Sequence, residues 1–213
     1  MSTQAFEQEI AARDRLYKPS AKKPEIVDVP PMNFLMVDGA GDPNTSAGYR
    51  DALEALYAMA YTLKFALKKA EGINYGVAPL EGLWWSEDLD AFLAGAKDTW
   101  SWTMMIAQPS IVTPAWVDKA REEVQRKKAP VALPLVRFDR FHEGLSAQIM
   151  HIGPYATEAP TIQKLHDFIQ AEGGVFDGHA QKHHELYLGD PRRAAPEKLK
   201  TVIRQPFVRH PAD

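Results

Sequence analysis

The order strand, helix, strand, strand occurs twice along the chain, and this internal repeat restricts the fold more than any other feature of the sequence. The copies match segment by segment: residues 35–41 with 148–154, 47–70 with 157–171, 80–85 with 183–188, and 102–109 with 201–206. Neither copy can cover both sides of its own small sheet, so the copies must pack together. The repeat predicts an α+β domain of two pseudo-symmetric βαββ repeats with a central cleft. The alternative is a chance match, because this order of elements is common.

The longest helical pattern covers residues 47–70, where apolar side chains recur every third or fourth residue and share one face. Ser46 is a candidate N-cap, and Gly72 can end the helix in a left-handed turn. Residues 76–85 and 100–106 are predicted as aromatic strands, and residues 87–97 as a loop or a short turn of helix.

The domain predicted from the repeat covers residues 32–209, with repeats at about 32–110 and 136–207. A proline at the first helical position after Thr113 predicts a connecting helix over residues 113–128. Residues 1–31 are predicted as an N-terminal helix and a linker. The linker prediction rests on residues 18–24, where two prolines and three lysines pack poorly.

Composition narrows the class of protein. The chain has 213 residues and a net charge of −3, so no positive excess favours phosphate groups, and we expect no direct nucleic-acid binding. The absence of cysteine excludes disulfides and thiolate metal sites. No apolar run reaches the roughly 20 residues of a membrane helix. The N-terminus has neither the basic start nor the apolar stretch of a secretion signal. A cytoplasmic protein without membrane contact is the simplest interpretation.

The segment 183–188 is a strand with polar groups on one side. The period of two places His183, Glu185 and Tyr187 on one face, and His184 with two leucines on the other. We expect the leucines to lie under the helices, so that Glu185 and Tyr187 face the groove. In an aromatic pocket the Glu185 carboxylate loses hydration, and its pKa is expected to rise. The alternatives are that Glu185 bonds a neighbouring strand or solvent and that Tyr187 is a core residue.

Four of the five tryptophans fall within a short stretch, and they are candidate walls of the groove. Trp84 and Trp85 are adjacent and point to opposite faces, so at most one of them lines it. Trp100 and Trp102 share a face, which is either core or groove, and we favour the groove. Tyr155 follows a Gly-Pro turn and belongs either to the rim or to a plain loop.

Metal and cofactor sites are not expected. The histidines near Glu185 are a candidate metal set, but His183 and His184 point to opposite sides of a strand, and their spacing matches no zinc pattern. Residues 39–41 form a glycine-rich turn without the rest of a dinucleotide or P-loop fingerprint.

Three segments carry a resemblance to a known family: Ile149-Met-His-Ile-Gly-Pro-Tyr155, His184-Glu-Leu-Tyr-Leu-Gly-Asp-Pro191 and Lys198-Leu-Lys-Thr-Val-Ile-Arg204. Through them residues 32–207 resemble the GyrI-like small-molecule-binding domain. The resemblance implies two facing βαββ repeats and a cleft for bulky, often cationic or aromatic ligands. The segment before the domain is too short for the helix-turn-helix reader of related activators. We therefore expect a stand-alone member, similar to the hydrolases that open cyclopropane rings of DNA-alkylating, duocarmycin-like toxins.

Two functions follow from this resemblance. The first is a cofactor-free hydrolase in which Glu185 is the general base and Tyr187 polarises the oxygen that gains charge. Its stacking and contact residues would be Trp84, Trp85, Trp100, Trp102, Tyr155 and His183. The second is a non-catalytic binder or sequestering protein, with Glu185 as counter-ion of a cationic ligand. The inhibition of a topoisomerase, which the family name implies, has no acidic surface run to support it. We expect a bulky aromatic small molecule as partner, and a monomer or weak homodimer.

Overall fold

A computed structural model of the protein describes residues 3–87 and 97–209. Its helices are α1 (Thr3–Leu16), α2 (Ala47–Glu71), α3 (Pro114–Lys127) and α4 (Ala159–Ala171). Its strands are β1 (Glu25–Val29), β2 (Met32–Ala40), β3 (Leu80–Trp85), β4 (Ser101–Gln108), β5 (Arg137–Phe141), β6 (Gly144–Ile152), β7 (Gly174–Val175), β8 (His183–Tyr187), β9 (Lys200–Pro206) and β10 (Val208–Arg209). The loop predicted at residues 87–97 falls largely outside the described residues. No helix in the described ranges is long and apolar enough to cross a membrane.

One eight-stranded antiparallel sheet has the strand order β1-β6-β9-β8-β3-β4-β2-β5. The first repeat is β2-α2-β3-β4, the second is β6-α4-β8-β9, and they meet where β3 pairs with β8. The predicted α+β fold with two βαββ repeats is confirmed. Strands β7 and β10 form a separate pair beside the main sheet.

The edges of the sheet were not predicted. Strand β1 lies in the segment that the sequence assigned to helix and linker, yet it pairs with β6 of the second repeat. Strand β5, which precedes β6, pairs in turn with β2 of the first repeat. Both strands carry charged residues at positions that break the apolar alternation, because edge strands are half solvated. Each half of the sheet is therefore completed by a strand that precedes the other half in the chain.

Helices α2 and α4 lie on the same side of the sheet, which we call the front face. The Ser46 hydroxyl accepts a hydrogen bond from the Tyr49 amide at 3.2 Å, and Gly72 ends α2 with φ of 69°, as the sequence predicted. The apolar side of α2 is buried against β2 and β4. A smaller cluster around Leu165, Ile169 and Ile203 joins α4 to the second half of the sheet.

The opposite side, the back face, is covered by the end of α1. Tyr17 packs there on Leu186, Met150 and Val202. The Tyr17 hydroxyl donates a hydrogen bond of 2.6 Å to Glu81 Oε1 on β3. The N-terminal helix is therefore a part of the domain's second core and not a detached extension.

Charged side chains are fully buried beneath α1. The Arg204 guanidinium donates hydrogen bonds to Glu143 Oε2, to Gln148 Oε1 and to the Leu16 carbonyl, at 2.9 to 3.1 Å. His184 lies 2.8 Å from Glu143 and 3.1 Å from Glu81. We call this set (Glu81, Glu143, Gln148, His184 and Arg204) the back-face network. It joins strands of both repeats to the N-terminal helix.

Candidate functional site

A cavity of about 2100 Å³ lies on the front face between α2 and α4, above the central strands β3 and β8. Its lining includes the aromatic residues Tyr49, Tyr57, Tyr61, Phe65, Trp84, Trp100 and Tyr155. Its polar residues include Glu158, His183, Glu185 and Tyr187. Apolar walls with a few convergent polar groups are typical of small-molecule sites.

Strand β8 turns Glu185 and Tyr187 into this cavity, as the period of two predicted, but for a different reason. The helices of both repeats share the front face with the cavity, so the leucines do not lie beneath them. Leu186 points to the back face and packs against Tyr17 at the end of α1. The expectation that the leucines lie under the repeat helices, opposite the groove, was therefore wrong, although it led to the correct face.

Glu185 is held by two neighbours on its own strand. Its Oε2 accepts a 2.7 Å hydrogen bond from the Tyr187 hydroxyl, and its Oε1 lies 3.1 Å from His183 Nε2. The Trp84 indole donates a 3.0 Å hydrogen bond to the Tyr187 oxygen. Gly82 stands opposite Glu185 in the neighbouring strand, and a side chain there would collide with the Trp84 nitrogen. Trp84, Tyr187 and His183 thus fix one orientation of the Glu185 carboxylate.

The pKa of Glu185 moves in the direction opposite to the prediction. Burial acts to raise it, but the hydrogen bond and charge of His183, the hydrogen bond from Tyr187 and the Lys97 cation together lower it below its ordinary value. The predicted rise was wrong, because hydrogen bonds to the charged form outweigh the lost hydration. Glu185 is consequently ionised at neutral pH.

The sequence did not reveal Glu158, the second carboxyl group of the cavity. Its side chain is 5% exposed, and burial together with the negative charge of Glu185 raises its pKa to about 9. Glu158 occupies the N-cap position of α4 and makes no side-chain cap hydrogen bond. The preceding Thr157 donates to the Pro154 carbonyl at 2.8 Å. An acidic residue at the start of a helix is favoured by the helix dipole, so its presence in the sequence gives no sign that the side chain lines a cavity.

Two of the carboxyl groups that line the cavity, those of Glu158 and Glu185, are therefore in opposite protonation states. Glu185 is a carboxylate, and Glu158 is a neutral acid at pH 7. Such a pair is the arrangement that lets one side chain accept a proton while the other donates one.

Some of the predicted tryptophans line the cavity, and others lie in the core or outside the cavity. Trp84 and Trp100 line the cavity, with ring centroids 5.7 Å apart and planes at 66°. Trp102 is 2% exposed and lies in the core against Tyr49, over Gly39, where any side chain would collide with the indole. Our preference for Trp102 in the groove was wrong, because its indole lies over Gly39 of the neighbouring strand β2 and does not line the cavity.

Trp85 points away from the cavity, where Lys182 Nζ lies 3.4 Å from the centre of its ring. It therefore does not join Trp84 in the cavity wall. Tyr155 does reach the cavity, and its ring centroid is 5.7 Å from that of Tyr187. Of the predicted contact residues, Trp84, Trp100, Tyr155 and His183 come together around Glu185.

The two adjacent histidines before Glu185 lie on opposite faces of the sheet. His183 faces the cavity, whereas His184 belongs to the back-face network. Within residues 3–87 and 97–209, no group of three or more histidine, aspartate or glutamate side chains is arranged to hold a metal ion.

Replacing Glu158 with Gln is expected to stabilise the protein as the pH rises. A carboxyl whose pKa is raised by folding binds more protons in the folded state between pH 4.5 and about 9, so stability falls with pH across this window. Glu158→Gln removes that loss, and its advantage in unfolding free energy should grow by up to about 1.4 kcal/mol per pH unit. Urea unfolding at pH 5, 7 and 8.5 measures it. An advantage that does not change with pH would contradict the raised pKa.

Comparison with known proteins places the whole architecture in one family. The family model of the GyrI-like small-molecule-binding domain matches residues 22–207. A solved structure of an uncharacterised conserved protein from Listeria innocua is 42% identical, with a TM-score of 0.84 over 93% of this chain and 98% of that one. No curated protein matches.

Two further structures from Listeria innocua are described as hydrolases. They are 40% and 41% identical, with TM-scores of 0.81 and 0.80, each over 93% of this chain and 98% and 97% of theirs. The C-terminal domain of EcmrR is 10% identical with a TM-score of 0.54 over 88% of this chain and 98% of that domain, which is a likeness of fold alone. The family match and these identities agree with the two-repeat architecture and its cavity. This chain belongs to the family of GyrI-like small-molecule-binding domains.

Proposed function

We propose that this protein is a hydrolase that adds water to the cyclopropane ring of aromatic, DNA-alkylating toxins. The observation that carries the proposal is the pair of carboxyl groups, one ionised and one neutral, in a cavity walled by aromatic side chains. The relatives described as hydrolases, at 40% and 41% identity, support a hydrolytic activity. The choice of a cyclopropane comes from the resemblance of the sequence motifs to hydrolases of that kind.

In the proposed reaction the flat body of the toxin stacks against Trp84 and Trp100. Glu185 accepts a proton from a water molecule whose oxygen attacks a carbon of the strained ring. The carbon–carbon bond breaks, and its electron pair moves through the conjugated system to the carbonyl oxygen. Glu158 donates a hydrogen bond, and then its proton, to that oxygen. Exchange with solvent afterwards returns a proton from Glu185 to Glu158.

This scheme changes the role of Tyr187 from the one that the sequence predicted. Its only proton already forms the 2.7 Å hydrogen bond to Glu185, and its oxygen accepts one from Trp84. A hydroxyl group engaged in this way orients the base. We therefore assign Tyr187 to the positioning of Glu185, and the donor at the reacting oxygen to Glu158.

A binding function without turnover is the second candidate, and one observation favours it. Glu185 is ionised within a wall of indole and phenol rings, and such a site attracts a cationic aromatic ligand through charge and cation–π contacts. Proteins of this kind sequester the ligand stoichiometrically.

Turnover on a cyclopropane-containing aromatic alkylator separates the two candidates. We expect the purified protein, mixed with a tenfold molar excess of alkylator, to convert all of it to the ring-opened alcohol, because the carboxyl pair is regenerated after each cycle. Absorbance follows the loss of the strained ring, and mass spectrometry detects the added water. Conversion that stops at one equivalent would favour sequestration instead.

A further inference from the structure

We propose that the same carboxyl pair hydrates aryl-substituted epoxides to vicinal diols, as a second activity of this cavity. The inference rests on the proposed function, because it uses Glu185 as the base and Glu158 as the acid. It extends that function from a three-membered carbon ring to a three-membered ring that contains oxygen. Opening the oxygen-containing ring depends far more strongly on proton donation by the acid.

The basicity of the leaving oxygen is the first argument. Opening a cyclopropane conjugated to a dienone produces a phenolate, whose conjugate acid has a pKa of about 10, as for tyrosine. Opening an epoxide produces an alkoxide, whose basicity is close to that of hydroxide and far above that of a phenolate. A phenolate leaves with little help, whereas an alkoxide requires a proton during the step. Proton donation by a buried neutral acid such as Glu158 is therefore not essential when a phenolate leaves, but it is required when an alkoxide leaves.

The positions of the two carboxyl groups are the second argument. Both line one cavity, and the charge of Glu185 is felt at Glu158 strongly enough to be the main cause of its raised pKa after burial. In an epoxide the attacked carbon is bonded directly to the oxygen that takes the proton. In a conjugated cyclopropane the two atoms are several bonds apart. Neighbouring carboxyl groups therefore suit the epoxide better.

The surroundings of Glu158 are the third argument. Its Oε1 is buried and has no hydrogen-bond partner among the residues that the structure describes. It makes no cap hydrogen bond with α4, although the N-terminus of a helix offers free amides. Glu185, in contrast, has a neighbour on each of its oxygens. The Glu158 carboxyl lies within hydrogen-bonding reach of Thr201 and Glu185, and its Oε1 is the atom left for a ligand, while the base is held through both of its oxygens.

The step is balanced without any further reactant. Glu185 takes a proton from water as the water oxygen bonds to one ring carbon. The bond from that carbon to the epoxide oxygen breaks, and its electron pair stays on the oxygen. Glu158 gives its proton to the same oxygen, and the product is a neutral diol. The two carboxyl groups return to their starting states by proton exchange with solvent.

The test uses trans-stilbene oxide and a cyclopropane-containing aromatic alkylator side by side at pH 7. We expect multiple turnovers of stilbene oxide to the diol, detected by mass spectrometry. In Glu158→Gln, diol formation is expected to fall by more than about 100-fold, because the alkoxide needs a proton as the ring opens. Cyclopropane opening is expected to fall by less than about tenfold, because the amide still donates a hydrogen bond to the phenolate oxygen, which can take its proton later from solvent. Glu172→Gln, an exposed carboxyl at the end of α4, is the matched control and should leave both rates unchanged.

Each other outcome has a definite meaning. Cyclopropane opening without any diol would overturn the epoxide activity and leave the proposed function in place. If the unmodified protein catalysed neither reaction, the proposed function would be contradicted as well. Diol formation that persists in Glu158→Gln, with a melting temperature no lower than that of the parent, would show that Glu158 is not the acid, and the inference would fail.

Discussion

Glu185→Gln is expected to slow the opening of a cyclopropane-containing alkylator by about 100- to 10,000-fold, the usual contribution of a general base. The amide keeps the shape of the side chain and can still contact His183 and Tyr187, but it cannot accept the proton of the attacking water. Binding of the aromatic body depends on the stacking walls, so the dissociation constant for the ring-opened product should change only a few-fold. Single-turnover kinetics and fluorescence titration of the tryptophans measure the two effects separately.

The pH profile gives the same prediction a second test. The base is ionised above the lowered pKa of Glu185, and the acid keeps its proton up to a pKa of about 9 for Glu158. kcat/KM is therefore expected to be level across neutral pH and to decline only near pH 9 and in acid below the ordinary range of a glutamate. Glu172→Gln serves as the control. A Glu185→Gln protein that turns over at the parent rate would show that the base has been assigned wrongly.

The strand that carries Glu185 could be interpreted from the sequence because its alternation is strict. His183, Glu185 and Tyr187 share a face whatever packs on that face, since the period of two is a property of the extended backbone. What covers each face depends on contacts between distant segments. The back of β8 is covered by Tyr17, which lies far away in the sequence, and the sequence pattern contains no trace of that contact.

The environments of Glu158 and of the tryptophans could not be predicted from local sequence patterns. Glu158 lies at the start of a helix, where the dipole favours an acidic side chain, and its raised pKa arises from burial and from the charge of Glu185 on strand β8. Trp84 and Trp102 pair with each other across β3 and β4 and point to the same side. Tyr49 contacts both indoles, but the Trp102 ring lies over Gly39 of β2, whereas Trp84 lies beside Trp100 in the cavity wall. Such differences depend on contacts between distant segments.

Arg204→Met is expected to lower the free energy of unfolding by about 3–5 kcal/mol. Arg204 is fully buried and donates to Glu143, Gln148 and the Leu16 carbonyl. Methionine fills much of the same space, but it removes the guanidinium partner of Glu143 and Gln148 and leaves only His184 beside the buried carboxylate, and breaking a buried ion pair costs about this much. For a protein of this size the melting temperature should fall by about 6–20 °C. Urea unfolding and calorimetry measure the change, and exposed Arg126→Met should stay within about 0.5 kcal/mol of the parent.

The pH dependence of this loss distinguishes a charge effect from a packing effect. Burial acts to raise the pKa of Glu143, but the charges and hydrogen bonds of His184 and Arg204 lower it to about 2. A depressed carboxyl contributes stability above its unfolded pKa of about 4.5 and loses it as the pH falls toward 2. The penalty of Arg204→Met should therefore shrink between pH 4.5 and 2, because protonation of Glu143 removes the charge that has lost its guanidinium partner. A penalty that stays constant down to pH 2 would mean that Arg204 acts by filling space, and the network would then stabilise the sheet through packing alone.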